Sequence, residues 1–117
     1  MKNLRNRVHL IGNLGMDPEI MSFENGKKLA KFSMATSQSY RNADGQKVND
    51  TQWHNIIAWD SLAGVAEKYL KKGSEIAIEG KLTYRSYEDK NGTKKYITEI
   101  IASDFLMFQS NKKQEQS

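Results

Sequence analysis

Apolar and polar residues alternate along most of the chain, and this period of two predicts a protein built from β-strands. Turn signals divide the alternating stretches, the strongest being Asn25-Gly26, Asp44-Gly45 and the turn Asp89–Gly92. Residues 38–50 are mostly polar, so we expect a polar connection there. The pattern predicts five strands, at residues 4–12, 28–37, 51–59, 74–87 and 94–108.

One stretch follows the period of an α-helix instead. From Leu62, apolar residues recur at i+3, i+4, i+7 and i+8, which places them in one stripe along a helix. Asp60 is expected to cap the start of this helix, and Lys71 and Lys72 followed by Gly73 are expected to end it. The stripe consists of Leu62, Val65, Ala66, Tyr69 and Leu70.

The order of these elements predicts the fold class. Three strands, a helix and two strands indicate an all-β protein with one helix, namely the five-stranded OB-fold barrel with its helix between strands 3 and 4. The sheet face and loops of this barrel commonly bind oligonucleotides. We expect the OB-fold domain at residues 1–108 and a short disordered tail at residues 109–117.

Two glycines near the end of the first strand admit two interpretations. The segment Gly12–Gly15 matches the G-x-x-G phosphate clamp of KH domains, but that clamp joins two helices. Because a strand and a loop flank the motif here, a tight turn with two conformationally permissive glycines is the favoured interpretation. The segment Asp17–Glu19, which contains a proline, is expected to keep the following residues irregular.

Composition limits the classes of function. The chain has 117 residues and a net charge of +4, which permits an anionic partner without requiring one. It has no cysteine, which excludes disulfides and thiolate chemistry. No apolar run reaches the length of a membrane span, and the first residues lack the apolar segment of a signal peptide. We therefore expect a cytoplasmic protein with no membrane partner.

The predicted strand at residues 51–59 carries both tryptophans. With a period of two, Trp53 and Trp59 share one side of the strand with Asn55. Tryptophans commonly fill a core, but aromatic rings beside cationic and amide side chains are also typical of surfaces on which unpaired bases stack. Tyr40, which precedes Arg41 and has few apolar neighbours in the sequence, fits packing or ligand contact equally well.

The sequence contains no recognisable catalytic, metal or cofactor motif. Its two histidines, His9 and His54, lie on different predicted strands, and their neighbours supply no zinc spacing, nucleophile elbow or paired carboxylates. Asp44-Gly45 lacks the ligands of a calcium loop. We expect a protein that is not an enzyme and that needs no cofactor.

Several stretches, taken in order, resemble the bacterial single-stranded DNA-binding proteins. The resemblance covers about residues 4–108. It implies an OB fold that binds and protects single-stranded DNA in replication, recombination and repair, in the cytoplasm and associated with the nucleoid. The matching stretches are NRVHLIGNLGMDPE, the Asn-Gly turn, FSMATSQSYR, TQWHNIIAW, LAGVAEKYLKKGSEIAIEGKL, YRSYEDKNGTKKY and TEIIASD.

The resemblance also implies roles for individual residues. Well-known members of the family carry tryptophan where this chain has Tyr40 and Tyr87, which implies weaker stacking on bases here. Ser61 stands where the family often has a basic residue at the start of the helix. The positions implied to stack on bases are Tyr40, Trp53, Trp59 and Tyr87, and those implied to contact the DNA backbone are Arg7, Arg41, Lys72 and Arg85.

Assembly is implied by the same resemblance, as a homotetramer made of two dimers joined through the first strand. Family members usually end in an acidic, hydrophobic tip that recruits other proteins, whereas NKKQEQS has no such tip, so recruitment through the tail lacks its motif. The implied oligomer interface comprises Leu4, Arg5, Asn6, Val8, His9 and His54.

Two alternatives to a function in single-stranded DNA binding stay open: an OB-fold protein-interaction module of a primosome, and a domain that binds single-stranded RNA.

Overall fold

A computed structural model describes residues 5–108 of the chain. The pattern predicts five strands, and the structure contains a sixth, which occupies the segment expected to be irregular after Pro18. This strand has four residues, pairs with one neighbour and is mostly exposed, so no apolar alternation reveals it. The elements are β1 (Val8–Leu14), β2 (Glu19–Ser22), β3 (Lys28–Arg41), β4 (Lys47–Trp59), α1 (Asp60–Tyr69), β5 (Glu75–Glu88) and β6 (Lys94–Met107).

Five of the strands close into a barrel. Their order is β1-β5-β6-β4-β3, and β3 pairs back to β1, where Met34 lies opposite Leu14. β4 and β6 run parallel, with Ile57 opposite Ile101, and the other neighbours are antiparallel. This topology confirms the predicted OB fold. α1 follows the third strand of the barrel, as predicted. Because β2 lies outside the barrel, this third barrel strand is β4 in chain order.

Apolar side chains of one parity fill the barrel, and α1 packs against β3, β4 and β6. Met34, Ile56 and Ile76 are the largest fully buried side chains of the described residues. The helix contributes two small residues, Ala63 and Ala66, both with no exposed surface, which lets its backbone approach the strands closely. Burial of this apolar surface is the main stabilising contribution to the fold.

Two features of α1 differ from the prediction. Asp60 does not cap the helix: its φ is +54°, and its Oδ1 accepts a hydrogen bond from the Lys28 backbone N–H at 3.2 Å, which ties the helix start to β3. Tyr69 leaves the predicted apolar stripe and is 58% exposed, with Lys68 Nζ 5.5 Å from its ring centroid. The predicted end is confirmed, because α1 stops at Tyr69 and Gly73 adopts a φ of +91°.

Two hairpins extend as arms with little core beneath them. In the first arm (residues 37–51) the β3–β4 ladder continues until Arg41 lies opposite Lys47, so the expected polar connection is mostly strand. Most residues of this arm are exposed, which removes the apolar alternation that marks a strand. Polar cross-strand contacts support it instead, including a hydrogen bond of 2.8 Å from Ser39 Oγ to Asn49 Oδ1. The second arm (residues 84–98) is the outer part of the β5–β6 hairpin.

The G-x-x-G segment is not a tight turn, so that interpretation is wrong. Gly12 lies inside β1, and neither Gly12 nor Gly15 has a positive φ. A Cβ atom on Gly12 would overlap the backbone oxygen of Ala35, and one on Gly15 would overlap the indole of Trp53. Both glycines are required by close approach of neighbouring groups rather than by backbone conformation.

Candidate nucleic-acid interface

One outer face extends across β3, β4, β6 and β5. Cross-strand partners project to the same side of a sheet, and the register joins Lys31 to Ile57 and Ile57 to Ile101 along this face. A groove of about 510 Å³ opens on it, and we call this the outer groove. Its lining includes Lys31, Ile57, Trp59, Thr83, Arg85 and Glu99.

Both tryptophans project from β4 onto the outer face. Trp53 is 61% exposed and lies opposite Ala35 of β3, while Trp59 is 42% exposed at the end of the same strand. The Trp53 ring lies against the backbone of Gly15, where an added Cβ would come within 2.8 Å of Cη2. The interpretation that both indoles fill the core is therefore wrong, since both present ring surface to solvent.

Trp59 has an aromatic neighbour that the sequence did not indicate. The rings of Trp59 and Phe23 stack with centroids 6.3 Å apart and an interplanar angle of 29°. Phe23 lies just after β2, at the start of the turn through Gly26, and its backbone N–H donates to the Lys27 carbonyl oxygen at 2.8 Å. Such a pair restrains the Trp59 ring from one side. The only sequence signal was an aromatic residue close to the Asn-Gly turn.

The two tyrosines implied to stack on bases lie on the arms, on different faces. Tyr87 of β5 is 47% exposed and lies two residues beyond Arg85 on the same strand, which places both on the same side of the sheet. Tyr40 of β3 is 54% exposed but lies an odd number of residues beyond Ala35, so it projects to the opposite side of the first arm from Trp53. The outer face thus gathers three of the four aromatic candidates.

Arg85 forms a two-point ion pair with Glu99 beside the outer groove. Its Nε donates to Glu99 Oε1 at 3.2 Å and its Nη2 donates to Oε2 at 2.7 Å. The hydrogen bonds and charge of Arg85, with a smaller contribution from Lys31, hold the pKa of Glu99 below its usual range despite burial. The carboxylate is therefore ionised at neutral pH. Neither Glu99 nor Lys31 was identified as a site residue from the sequence.

The remaining basic candidates lie apart from the outer groove. Arg41 is at the tip of the first arm, where its Nη1 donates to the Gly45 carbonyl oxygen at 2.7 Å and closes the turn. Lys72 follows α1, and its backbone N–H donates to Asp17 Oδ1 at 2.8 Å while its side chain is exposed. Arg7 precedes β1 and forms an ion pair with Glu79 of β5.

The two histidines do not form a common site. His54 is partly buried on β4, and its Nε2 lies 3.0 Å from Thr36 Oγ1. Burial lowers the pKa of His54. His9 is exposed on β1, with Nε2 3.7 Å from Glu79 Oε1. Within residues 5–108, no group of three or more His, Cys, Asp or Glu side chains is arranged to hold a metal ion, and no helix is both long and apolar enough to cross a bilayer.

The first strand carries an exposed apolar row on its outward side. Ile11 lies opposite Ala77 of β5, which lies opposite Leu106 of β6, and Ile11 and Leu106 are 58% and 63% exposed. Within the described residues, β3 pairs with β1 only at Asn13 and Leu14, so the preceding part of that β1 edge is unpaired. We call Ile11, Ala77 and Leu106 the β1 row.

The residues implied at an oligomer interface are not all placed around this row. Asn6 bonds within the chain, since its side chain donates to the Leu82 carbonyl oxygen at 3.0 Å and accepts from the Leu82 N–H at 2.9 Å. Val8 is half-buried, and Arg5 and His9 are exposed beside it. His54 lies on β4, across β3 from β1. Leu4 and the tail at 109–117 lie outside the described residues.

Comparisons with known proteins agree over the described residues. A family model described as the single-strand binding protein family matches residues 5–108. "Single-stranded DNA-binding protein 1" of Chlorobaculum tepidum is 45% identical over 103 residues, which are 87% of this chain and 64% of that protein. The single-stranded DNA-binding protein of Neisseria meningitidis is 41% identical over 102 residues, or 87% of this chain and 59% of that protein. The chain thus spans about three fifths of the length of these relatives.

Solved structures show the same barrel. A Plasmodium falciparum single-stranded DNA-binding protein in complex with single-stranded DNA superposes with a TM-score of 0.84 and 32% identity, over 93% of this chain and 99% of that one. A deletion mutant of the Thermus aquaticus protein gives a TM-score of 0.78 and 26% identity, over 90% of this chain and 51% of that one. Fold, family model and relatives lead to one conclusion: the chain belongs to the single-strand binding protein family.

Proposed function

We propose that this chain binds single-stranded DNA without sequence preference and protects it during replication, recombination and repair. The observation that supports this most directly is the pair of exposed indoles, Trp53 and Trp59, on the same outer face as Arg85 and Lys31. The relatives carry the name of single-stranded DNA-binding proteins, and the Plasmodium structure holds single-stranded DNA. Binding and protection require no catalytic step, so we propose a role other than that of an enzyme.

Base stacking supplies the part of the affinity that ignores sequence. Every base has an apolar face, and each base stacked on an aromatic side chain contributes about 1–3 kcal/mol by alanine substitution. Trp53 is restrained by the backbone of Gly15 and Trp59 by the ring of Phe23, so both indoles are positioned before a strand arrives. A duplex has already stacked its bases on one another, which favours the unpaired strand.

Cationic side chains supply the second part. Arg85 and Lys31 line the outer groove together with Trp59, and we assign both to phosphate contacts. Neutralising phosphates releases counterions, so the logarithm of the affinity should fall with the logarithm of the salt concentration by about 0.7 for each phosphate contacted.

Tyr40, Arg41, Lys72 and Arg7 lie elsewhere on the domain, so a strand that reaches them has to leave the outer face. Tyr40 and Arg41 occupy the tip of the first arm, and Lys72 follows α1. We propose that these residues contact further nucleotides of a strand that wraps the domain, while Tyr87 continues the path along the second arm.

We also propose assembly into a homotetramer, with dimers joined through β1. The unpaired part of the β1 edge can add a strand from a second copy, and the β1 row offers apolar surface for burial in a further contact. His9, Arg5 and Val8 are the interface candidates that lie beside that edge. Asn6 and His54 are less suited to it, because Asn6 is bonded to Leu82 and His54 lies on β4.

A test of the proposed function uses the intrinsic fluorescence of the two tryptophans. Addition of oligo-dT to the full chain should quench the emission, and unlabelled single-stranded DNA should compete far better than a duplex of equal length. Unchanged emission at saturation, or equal competition by duplex, would contradict the proposal. Competition by an RNA oligomer of equal length separates a DNA-binding from an RNA-binding protein, and the primosome alternative predicts no quenching by either.

A further inference from the structure

A carboxylate lies in the face to which we assign phosphate contacts. Glu99 of β6 lines the outer groove with Trp59 and Lys31, yet only 7% of its surface is exposed. A negative charge at this place repels phosphates, so on charge alone it weakens binding of a nucleic acid strand. Its position therefore requires an explanation in terms of its contacts.

The contacts of Glu99 are made to one edge of the Arg85 guanidinium. Nε and Nη2 of Arg85 each donate to a different carboxylate oxygen, at 3.2 Å and 2.7 Å. The Glu99 side chain is 9% exposed while that of Arg85 is 52% exposed, so the carboxylate is covered and the cation is accessible. A guanidinium has five N–H donors, and the pair uses two of them. Three donors stay outside the pair, on a side chain that is 52% exposed.

Burial of Glu99 makes this pair durable. A phosphate that displaced the carboxylate from Arg85 would leave an uncompensated charge in a covered position, which is strongly unfavourable. A phosphate bonded to the outer donors of Arg85 leaves the pair intact. Holding the arginine in one geometry beforehand also removes the conformational entropy that a free side chain loses on binding.

We infer that Glu99 is a positioning residue for nucleic-acid binding: it fixes the Arg85 guanidinium beside the outer groove so that its free N–H groups meet a phosphate of the bound strand. This inference rests on the proposed function, because the ligand is the same single strand. Glu99 itself touches Arg85 and not the ligand.

Charge and positioning predict opposite signs for Glu99→Gln, and this decides between them. Removing a negative charge from the face strengthens binding if charge alone matters. If positioning matters, oligo-dT affinity falls by about three- to tenfold, because glutamine cannot replace both charge-assisted hydrogen bonds. The salt slope should fall by about 0.7 in the same variant, as expected for one lost phosphate contact.

Glu19→Gln is the matched control. Glu19 is exposed and lines an adjoining groove of about 230 Å³ with Lys31 and Glu99, so its substitution removes the same charge from the same neighbourhood. We expect affinity that is unchanged or up to about twofold tighter. Weaker binding by Glu99→Gln alone supports the inference, whereas equal or tighter binding by both variants overturns it.

Arg85→Lys keeps the inference testable if Glu99→Gln does not fold. Lysine retains the positive charge and gives Glu99 a cationic partner, but it cannot keep one edge in a two-point pair while offering another. We expect about three- to tenfold weaker binding and a smaller salt slope; unchanged affinity overturns the inference. The wild-type chain separates the two proposals, because its failure to bind oligo-dT refutes the function, whereas tight binding by wild type and variants refutes only the role of Glu99.

Discussion

The indole of Trp53 occupies the space in which a side chain at Gly15 would have to lie. Gly15 follows β1, so the absence of a side chain there sets the position of a ring on β4. Trp53 is nevertheless 61% exposed, which means that Gly15 restrains the ring without burying it. Gly15, which allows this close approach, thus helps to position the Trp53 ring, one of the surfaces to which we assign base stacking.

Gly15→Ala should displace the Trp53 ring. We expect a shift in tryptophan emission and weaker oligo-dT binding, whereas the free energy of unfolding should change by less than about 1 kcal/mol because the exposed ring can move into solvent. Gly64→Ala is the control, since an added Cβ on that helical residue meets nothing within 4 Å and should leave binding unchanged. Urea denaturation and fluorescence titration measure both effects, and identical behaviour of the two variants would refute the role of Gly15.

Trp53→Ala should weaken oligo-dT binding by about 1–3 kcal/mol through loss of stacking. Because the ring is largely exposed, the free energy of unfolding should change by less than about 1 kcal/mol, whereas Ile56→Ala in the core should lose about 2–5 kcal/mol. Tyr69→Ala removes another exposed ring, on α1, and should bind as the wild type does. A large loss of stability in Trp53→Ala would mean that the ring is structural.

Ile11→Glu should disrupt the proposed assembly by placing a charge in the β1 row. Light scattering should report a smaller mass than for the wild type, because an unpaired carboxylate in an apolar contact is unfavourable. Tyr69→Glu is matched to it, since both side chains are 58% exposed and Tyr69 lies on α1. A mass unchanged by Ile11→Glu, or lowered equally by both, would contradict an interface at β1.

The fold should become less stable as the pH decreases through the range in which His54 titrates. Burial lowers the pKa of His54 from the ordinary value of 6.5. As the pH falls through that value, the unfolded chain binds a proton that the folded chain does not yet accept, so the free energy of unfolding decreases. Urea denaturation between about pH 5 and pH 8 should show this loss, and His54→Gln should reduce it. An unchanged pH dependence in that variant would show that other groups cause it.

Hydrophobic periodicity was sufficient to predict the barrel, the helix and their order, because each barrel strand has one buried face. It could not find β2 or the ends of the first arm, where both faces meet water and the period disappears. The predicted helix cap at Asp60 was wrong for a different reason. Its carboxylate accepts a hydrogen bond from the backbone N–H of Lys28, a partner that is distant in the sequence.

The site was predictable in part. Strand parity placed Trp53 and Trp59 on one side of their strand, and the resemblance identified Arg85. Only the register between strands shows that Arg85 lies on the same face as the two tryptophans. Glu99 has the pattern of an ordinary outward residue on a strand, and its burial and pairing with Arg85 are tertiary facts. Phe23 and Gly15 were missed in the same way, since each acts through contact with a tryptophan on another strand.

The first arm is held by its backbone ladder and polar pairs such as Ser39 with Asn49, with little apolar surface to anchor it. Its amides should therefore exchange with solvent deuterium well before those of Ile56 in the barrel. Such local opening needs no unfolding of the core. Tyr40 and Arg41, at the tip of the first arm, can therefore move to meet nucleic-acid strands that follow different paths, while the two indoles stay fixed.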